Sequence, residues 1–428
     1  MPLSPRQDDQ RSGVPIQERS LPRWPLLLPS IVVGVAPLRN LTGEADRQSL
    51  VESLTDCLVT DLFRYCRGLS FAWMADERRW AGGLRPPNPP ELSYVVYGSV
   101  QRGGCQGMLR VNMRISDAIT SDYLWAGRQE CRPDALVTVA TEITRQISRA
   151  LHVLLLHEAC RRAVIGLDAG LGVDERLARA ETALKGGMRA EATAEAQRWF
   201  LAALACDPRS VEALVGLART CQHLVGNPWW GEPRAAAAAA DLGREAVTLA
   251  LELEPAHGWA KTIQGMLYSA AGQLKEAAQT FEQALALDKR LAATHGFSGY
   301  NAALLGRAWE TLPAVERAMR LDPRDRRHSI WYFFGGFAEL LLAHTDTAIA
   351  LLGKSLERNP GYGSAQLSLM AALSLTGQQS EAVSMAESFR RQYPEYPAHA
   401  FARLWLSRSD SPVYRAQVYP LFERISAL

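Results

Sequence analysis

Gly353-Lys354-Ser355 is the segment of this 428-residue chain whose residue types most resemble phosphate chemistry, because it matches the end of a phosphate-binding loop. Such a loop cradles phosphates with backbone amides and needs another glycine five residues earlier, in a turn between strand and helix. Ala348 stands there, inside a helical pattern, so a packing role is expected. Gly103, Gly104 and Gly107 could suggest a dinucleotide turn, but they separate two strand patterns and read as a hairpin turn. His152 and His157 are five apart on a helical stretch and do not share a face as metal ligands four apart would. A surface or interdomain position is expected for them. Glu52, Asp56 and Asp61, near Ser53 and Thr55, read as the solvated face of one helix. Arg324, Arg326 and Arg327 read as a solvated basic loop rather than a phosphate patch. No Ser/His/Asp or Cys/His set emerges, and no catalytic, cofactor or metal residues are expected.

Composition narrows the classes further. Lys+Arg total 47 against 45 Asp+Glu, a formal net charge of +2. That balance argues against nucleic acid or an anionic membrane as the main partner. Five residues are lysine (185, 261, 275, 289, 354), none before position 185, so the N-terminal third has no phosphate-loop or Schiff-base lysine. Seven scattered cysteines without a CxxC pair suggest a reducing compartment and no zinc ribbon. No apolar run approaches the roughly 18 residues of a membrane helix. Leu26–Ala36 follows Arg19 and Arg23 as a signal segment would, but Pro25 and Pro29 interrupt it and Pro37 follows its small-residue site. A cytoplasmic location is expected.

Residues 1–28, rich in Pro, Arg, Gln, Asp and Ser, read as a flexible tail. Residues 29–158 read as an α/β domain with a small mixed sheet. Ile31–Ala36 is a continuous apolar strand, Leu50, Leu54, Leu58, Leu62 and Tyr65 stripe a helix, and Leu69–Met74 is a second strand. A Pro/Gly-rich loop runs from Ala81 to Pro90. Tyr94–Arg102 and Met108–Ser116 form a hairpin, the latter alternating Leu109, Val111, Met113 and Ile115 with polar residues. Tyr123–Ala126 is a short strand, and Pro133 starts a long helix striped by Leu136, Ala140, Ile143, Ile147, Ala150 and Leu154. Residues 159–176 read as a linker.

From 177 to 428 alanine and leucine dominate and a period of about 34 residues appears, that of tetratricopeptide repeats. Ala196, Phe200, Ala203 and Pro208 begin the register. Gly265, Tyr268, Gly272, Ala277, Phe281 and Ala284 continue it, then Gly299, Gly306, Ala318 and Pro323. Gly336, Ala348 and Pro360 follow a three-residue insertion, and Gly377, Ala382 and Pro394 close about six units. Small residues let paired helices approach, a bulky one fills between them, and proline ends the second helix. Val211–Pro255 is 13 residues too long, with an insertion near 227–239 that holds Trp229 and Trp230, candidate partner anchors. Residues from Ala398 onward should form a solvent-facing cap. First-helix positions that line the concave face of such solenoids include Trp259, Met266, Tyr300, Leu304, Phe333, Phe337, Leu340 and Leu367. They predict an apolar, aromatic groove, without the Lys/Arg/Asn set of carboxylate-clamp repeats. It suits a protein or peptide partner or the chain's own α/β domain, unless these side chains pack between helices.

Residues 29–158 resemble the TolB amino-terminal-like domain of bacteria, found between a signalling module and tetratricopeptide repeats. The resemblance rests on Pro29–Val33 through Ala36–Gly43, then Tyr97–Val100, Leu109–Asn112, Leu124–Ala126 and Glu142–Thr144. In similar proteins the preceding module is a class III nucleotide cyclase or an OmpR-type winged helix; fewer than 30 residues precede the domain here, too few for either. The resemblance therefore implies a non-enzymatic interaction scaffold in bacterial signalling or regulation. The alternative it implies is a transcription-regulator-like or cyclase-associated protein binding DNA or a small effector.

Overall fold

In the computed structural model the described residues are 31–427 except 75–91, 169, 186–188, 231–232, 326 and 395–397. The N-terminal segment read as a tail, the Ala81–Pro90 loop and Arg326 lie outside them. The first domain is built on six strands: β1 (Val32–Val35), β2 (Arg39–Leu41), β3 (Ser70–Trp73), β4 (Tyr94–Arg102), β5 (Leu109–Asp117) and β6 (Tyr123–Cys131). Their order is β3-β1-β4-β5-β6; β1 pairs parallel with β3 and β4, while β4, β5 and β6 run antiparallel. β2 pairs parallel with β4 at Ser99–Gln101, beyond the end of its pairing with β1. Helices α1 (Gln48–Tyr65) and α2 (Leu136–Ala163) cover one face. There Val51, Leu54, Leu58 and Leu62 meet Val96, Val100, Leu109, Val111 and Ile115 from the sheet. The last strand is longer than Tyr123–Ala126. Edge position lets Arg128 and Glu130 face water, and Glu130 accepts from Arg110 across the ladder at 2.7 Å, so polarity disguises the strand.

Residues 159–163 are not linker. The apolar stripe of α2 continues past 158, and Leu156, Ala159, Cys160 and Ala163 join the core of the first repeats. Gly166, at φ +75°, lies in the turn beyond the helix. A close approach joins the two parts again at Gly68, where a Cβ would lie 2.2 Å from Ala238 Cα, so no side chain fits.

The rest of the described chain is helical, and it is a tetratricopeptide-type solenoid. Its six antiparallel pairs are α3 (Val173–Leu184) with α4 (Ala190–Cys206), α5 (Val211–Gly226) with α6 (Pro233–Leu253), and α7 (Gly258–Ala270) with α8 (Leu274–Leu287). The others are α9 (Ala292–Leu304) with α10 (Thr311–Leu321), α11 (His328–Leu341) with α12 (Thr345–Arg358), and α13 (Gly363–Leu375) with α14 (Gln379–Gln392). The small–large rule is visible in atoms: a Cβ on Gly265 would lie 2.6 Å from the Phe281 ring, and one on Gly216 would lie 2.2 Å from Phe200. The turn inside each of four successive pairs uses a left-handed residue: Gly272, Gly306, Ala343 and Gly377. The longer step from Gly306 to Ala343 is the three-residue insertion, and alanine there carries the strain glycine avoids.

A seventh pair, α15 (Ala398–Ser407) and α16 (Pro412–Ser426), is not a solvent-facing cap. It folds back onto the first helices: α16 packs on α13 and α11, with Tyr414, Val418, Leu421 and Ile425 buried. The Tyr414 hydroxyl donates to the Trp405 carbonyl (3.1 Å), and Ser411 Oγ donates to the Leu305 carbonyl (3.2 Å). An apolar first-helix face, left bare at the end of a solenoid, is thereby covered by the chain itself.

Candidate recognition site in the solenoid

First helices line the inside of the curve, and the uncovered part of that inner face holds a cavity of about 750 Å³. Trp259 and Met266 from α7, Tyr300 from α9 and Phe333 from α11 line it, four of the groove positions expected from spacing. Leu304, Phe337, Leu340 and Leu367 do not. Each is at most 3% exposed, and the Phe337 ring packs 5.2 Å from Trp405. Their spacing is that of a concave face, but α15 and α16 have turned that part of the face into core.

Trp229 and Trp230 are internal too. The insertion forms a 3-10 turn at Pro228–Trp230, and the remaining surplus lengthens α6 to 21 residues. Trp229 is buried, lies 6.0 Å edge-on to Tyr393 and meets Gly363, where a Cβ would be 3.3 Å from its ring. An insertion in the second pair thus reaches the sixth, closing one side of the recess. Trp230 is half-buried against both halves of the solenoid core. Neither is placed as an anchor for a partner.

The recess differs from the apolar groove expected because it gathers six arginines: 189, 219, 324, 327, 358 and 408. Arg327 is spent. Its guanidinium donates to both Asp325 oxygens (2.9 and 3.0 Å) and lies over Trp259 (5.4 Å), while Trp331 Nε1 donates to the same carboxylate (3.1 Å). Burial raises the Asp325 pKa, but Arg327 and these hydrogen bonds outweigh it and hold the carboxyl ionised. Arg324 and Arg327 are therefore recess residues, not a wholly solvated loop. Arg219 pairs with Glu181. Arg189, Arg324 and Arg358 are exposed and, with half-buried Arg408, make no ion pair among the described residues. His223 shows the field these cations create: burial first, then Arg219 and Arg327, push its pKa down to about 3. Burial raises the phenols of Tyr300 and Tyr362, which Arg408 opposes. A neutral imidazole and un-ionised phenols among guanidinium groups are hydrogen-bonding groups that do not titrate near neutrality.

The other motifs lie elsewhere. Lys354 is exposed mid-α12 near the Tyr332 ring, whereas Ser355 is buried and its Oγ donates to the Ser329 carbonyl at 2.7 Å. Glu52 and Asp56 are exposed on α1 and Asp61 is half-buried there. His157 is exposed, whereas His152 is buried where α2 meets α6, 3.6 Å from Asp241. Among the described residues no three His, Cys, Asp or Glu converge as a metal site would require, and no helix is long and apolar enough to cross a membrane. The converging arginines escape sequence reading because they come from different repeats; only the curvature of the solenoid brings them together.

No protein family matches the chain as a whole or in part. "Putative adenylate cyclase 3" of Rhizobium meliloti (strain 1021) is 30% identical over 132 residues, 29% of this chain. The match spans 21% of that relative's own length. Among solved structures, a thermophilic tetratricopeptide protein of Thermus thermophilus is 21% identical over 47% of this chain and 99% of its own, with a TM-score of 0.38. Human IFIT1 is 16% identical over 68% of this chain and 69% of its own, with a TM-score of 0.46.

Proposed function

We propose that the chain is a non-enzymatic interaction protein of bacterial signalling or regulation, whose solenoid recess receives an acidic element of a protein partner. The observation that carries this is the mouth of the recess: exposed Arg189, Arg324 and Arg358, without ion pairs among the described residues, above the aromatic walls of Trp259 and Tyr300. Unspent cations steer an acidic partner in, and large half-buried rings supply the anchoring area. A signalling context is supported by the TolB-like motifs of the first domain and by the partial likeness to a protein named as a cyclase. The activity of that relative is not carried over, since the match spans about a fifth of it.

Partner capture by the full chain from a bacterial lysate tests the proposal. Trp259→Ala removes a half-buried ring that faces the recess and should weaken capture about tenfold or more while the chain stays folded, its melting temperature lowered by a few degrees. Capture should also fall steeply between about 50 and 300 mM salt. A partner held equally by the variant and insensitive to salt would contradict it.

A further inference from the structure

The floor of the recess carries unspent hydrogen-bond donors. The Tyr300 and Tyr362 hydroxyls make no hydrogen bond among the described residues, and Arg408 stands close enough to lower the pKa of both. Arg219 Nε and the His223 Nδ1 are out of reach of solvent and without a hydrogen-bond partner. The carboxylates of the lining are already engaged: Asp325 by Arg327 and Trp331, and Asp322 Oδ1 by the Arg324 backbone N–H at 3.2 Å. Polar groups held this way cost stability unless something supplies acceptors, and guanidinium with phenol is a donor set that suits phosphate.

The shape limits the occupant. An extended peptide would need a continuous track along the first helices, but Leu304, Phe337, Leu340 and Leu367 are core, Phe337 packing on Trp405 of α15, and Trp229 closes another side. About 750 Å³ is the volume of a small-ligand site. Its walls are aromatic: Tyr300 is stacked on Phe334 at 4.2 Å, and Phe333 stands edge-on to Tyr362 at 5.1 Å. We propose that the recess floor binds a nucleotide, its base against the aromatic walls and its phosphates toward Arg408 and Arg358. A nucleotide combines a planar ring with several negative charges in this volume. The inference rests on the recess being the recognition site and deepens it: a nucleotide on the floor shares Arg358 with the mouth, leaves Arg189 and Arg324 to the partner, and so can control its docking.

Calorimetry and tryptophan fluorescence on the full chain test this with ATP, GTP, adenosine, inorganic triphosphate and a hexaglutamate peptide. Expected is binding of ATP or GTP at least about tenfold tighter than adenosine or triphosphate alone, because both parts are read. Arg408→Gln should weaken nucleotide binding about tenfold or more, and Arg317→Gln, exposed outside the recess, should not. Should Arg408→Gln fail to fold, exposed Arg358→Gln carries the same comparison. Nucleotide binding that is absent, or indifferent to the arginine variant used, overturns the proposal. Hexaglutamate binding sensitive to Arg358→Gln, with no nucleotide binding, overturns the nucleotide while leaving the acidic-partner reading standing. Partner capture unaffected by Trp259→Ala, with neither probe binding, removes both.

Discussion

Trp229→Ala costs the folded chain about 3–5 kcal/mol and widens the recess. The size follows from burial: Trp229 is 6% exposed, yet its neighbours come from distant parts of the solenoid, Tyr393 at the end of α14 and Gly363 at the start of α13. Removing the indole leaves a void that local relaxation cannot fill, because closing it would require the second and sixth pairs to move together. A solenoid whose pairs contact only their neighbours flexes easily; this insertion adds a contact between pairs far apart in the chain. Small-angle scattering should show a larger radius of gyration for the variant, beside a melting temperature lower by several degrees. An unchanged radius with lowered stability would mean that Trp229 fills core without setting curvature.

Asp241→Ala should cost a similar amount, about 3–5 kcal/mol, by breaking the polar contact between the α/β domain and the solenoid. The carboxylate is 2% exposed and accepts the Gly68 N–H at 3.0 Å; Arg244 bonds it as well, and His152 Nε2 lies 3.6 Å away. Burial opposes a charge on His152, but Asp241 and the Cys66 thiol beside it outweigh burial and hold its pKa up at about 10. A folded pKa above the unfolded value of about 6.5 fixes the sign. The contribution is complete below about pH 6.5 and disappears as pH rises toward about 10. Melting curves from pH 6 to 10 should therefore decline for the native chain and show a weaker slope in Asp241→Asn, where Cys66 alone is left to oppose burial at His152. A native melting temperature flat across this range would show that His152 does not carry the interdomain contact.

These two residues mark what the amino-acid sequence discloses. The repeats are legible because their signal is local: Gly265 needs Phe281 sixteen positions on, and Gly336 meets Leu352 at the same separation. The hairpin of β4 and β5 is legible for the same reason. Trp229 is visible as part of an insertion, but its contact with Tyr393 crosses more than 160 residues, and no spacing rule reaches that far. The groove divides at the same boundary. Trp259, Met266, Tyr300 and Phe333 line a recess, whereas Leu304, Phe337, Leu340 and Leu367 are core in the cluster that the buried side chains of α15 and α16 join. β2 escapes notice because three residues carry no periodicity. Arg189 and Arg358 belong to no sequence motif, and only the superhelix brings them to one recess.

The most direct test of the recess as the recognition site is charge reversal at that mouth. Three full-length forms are compared in quantitative partner capture: the native chain, Arg324→Glu/Arg358→Glu, and a control with exposed Arg317→Glu/Arg320→Glu on α10 outside the recess. Both double variants change the net charge equally and should melt within a few degrees of the native chain, since surface charges contribute little to stability. A partner retained by the native chain and the control but lost from the recess variant is the predicted result. The same partners at the same yield on all three forms would contradict it.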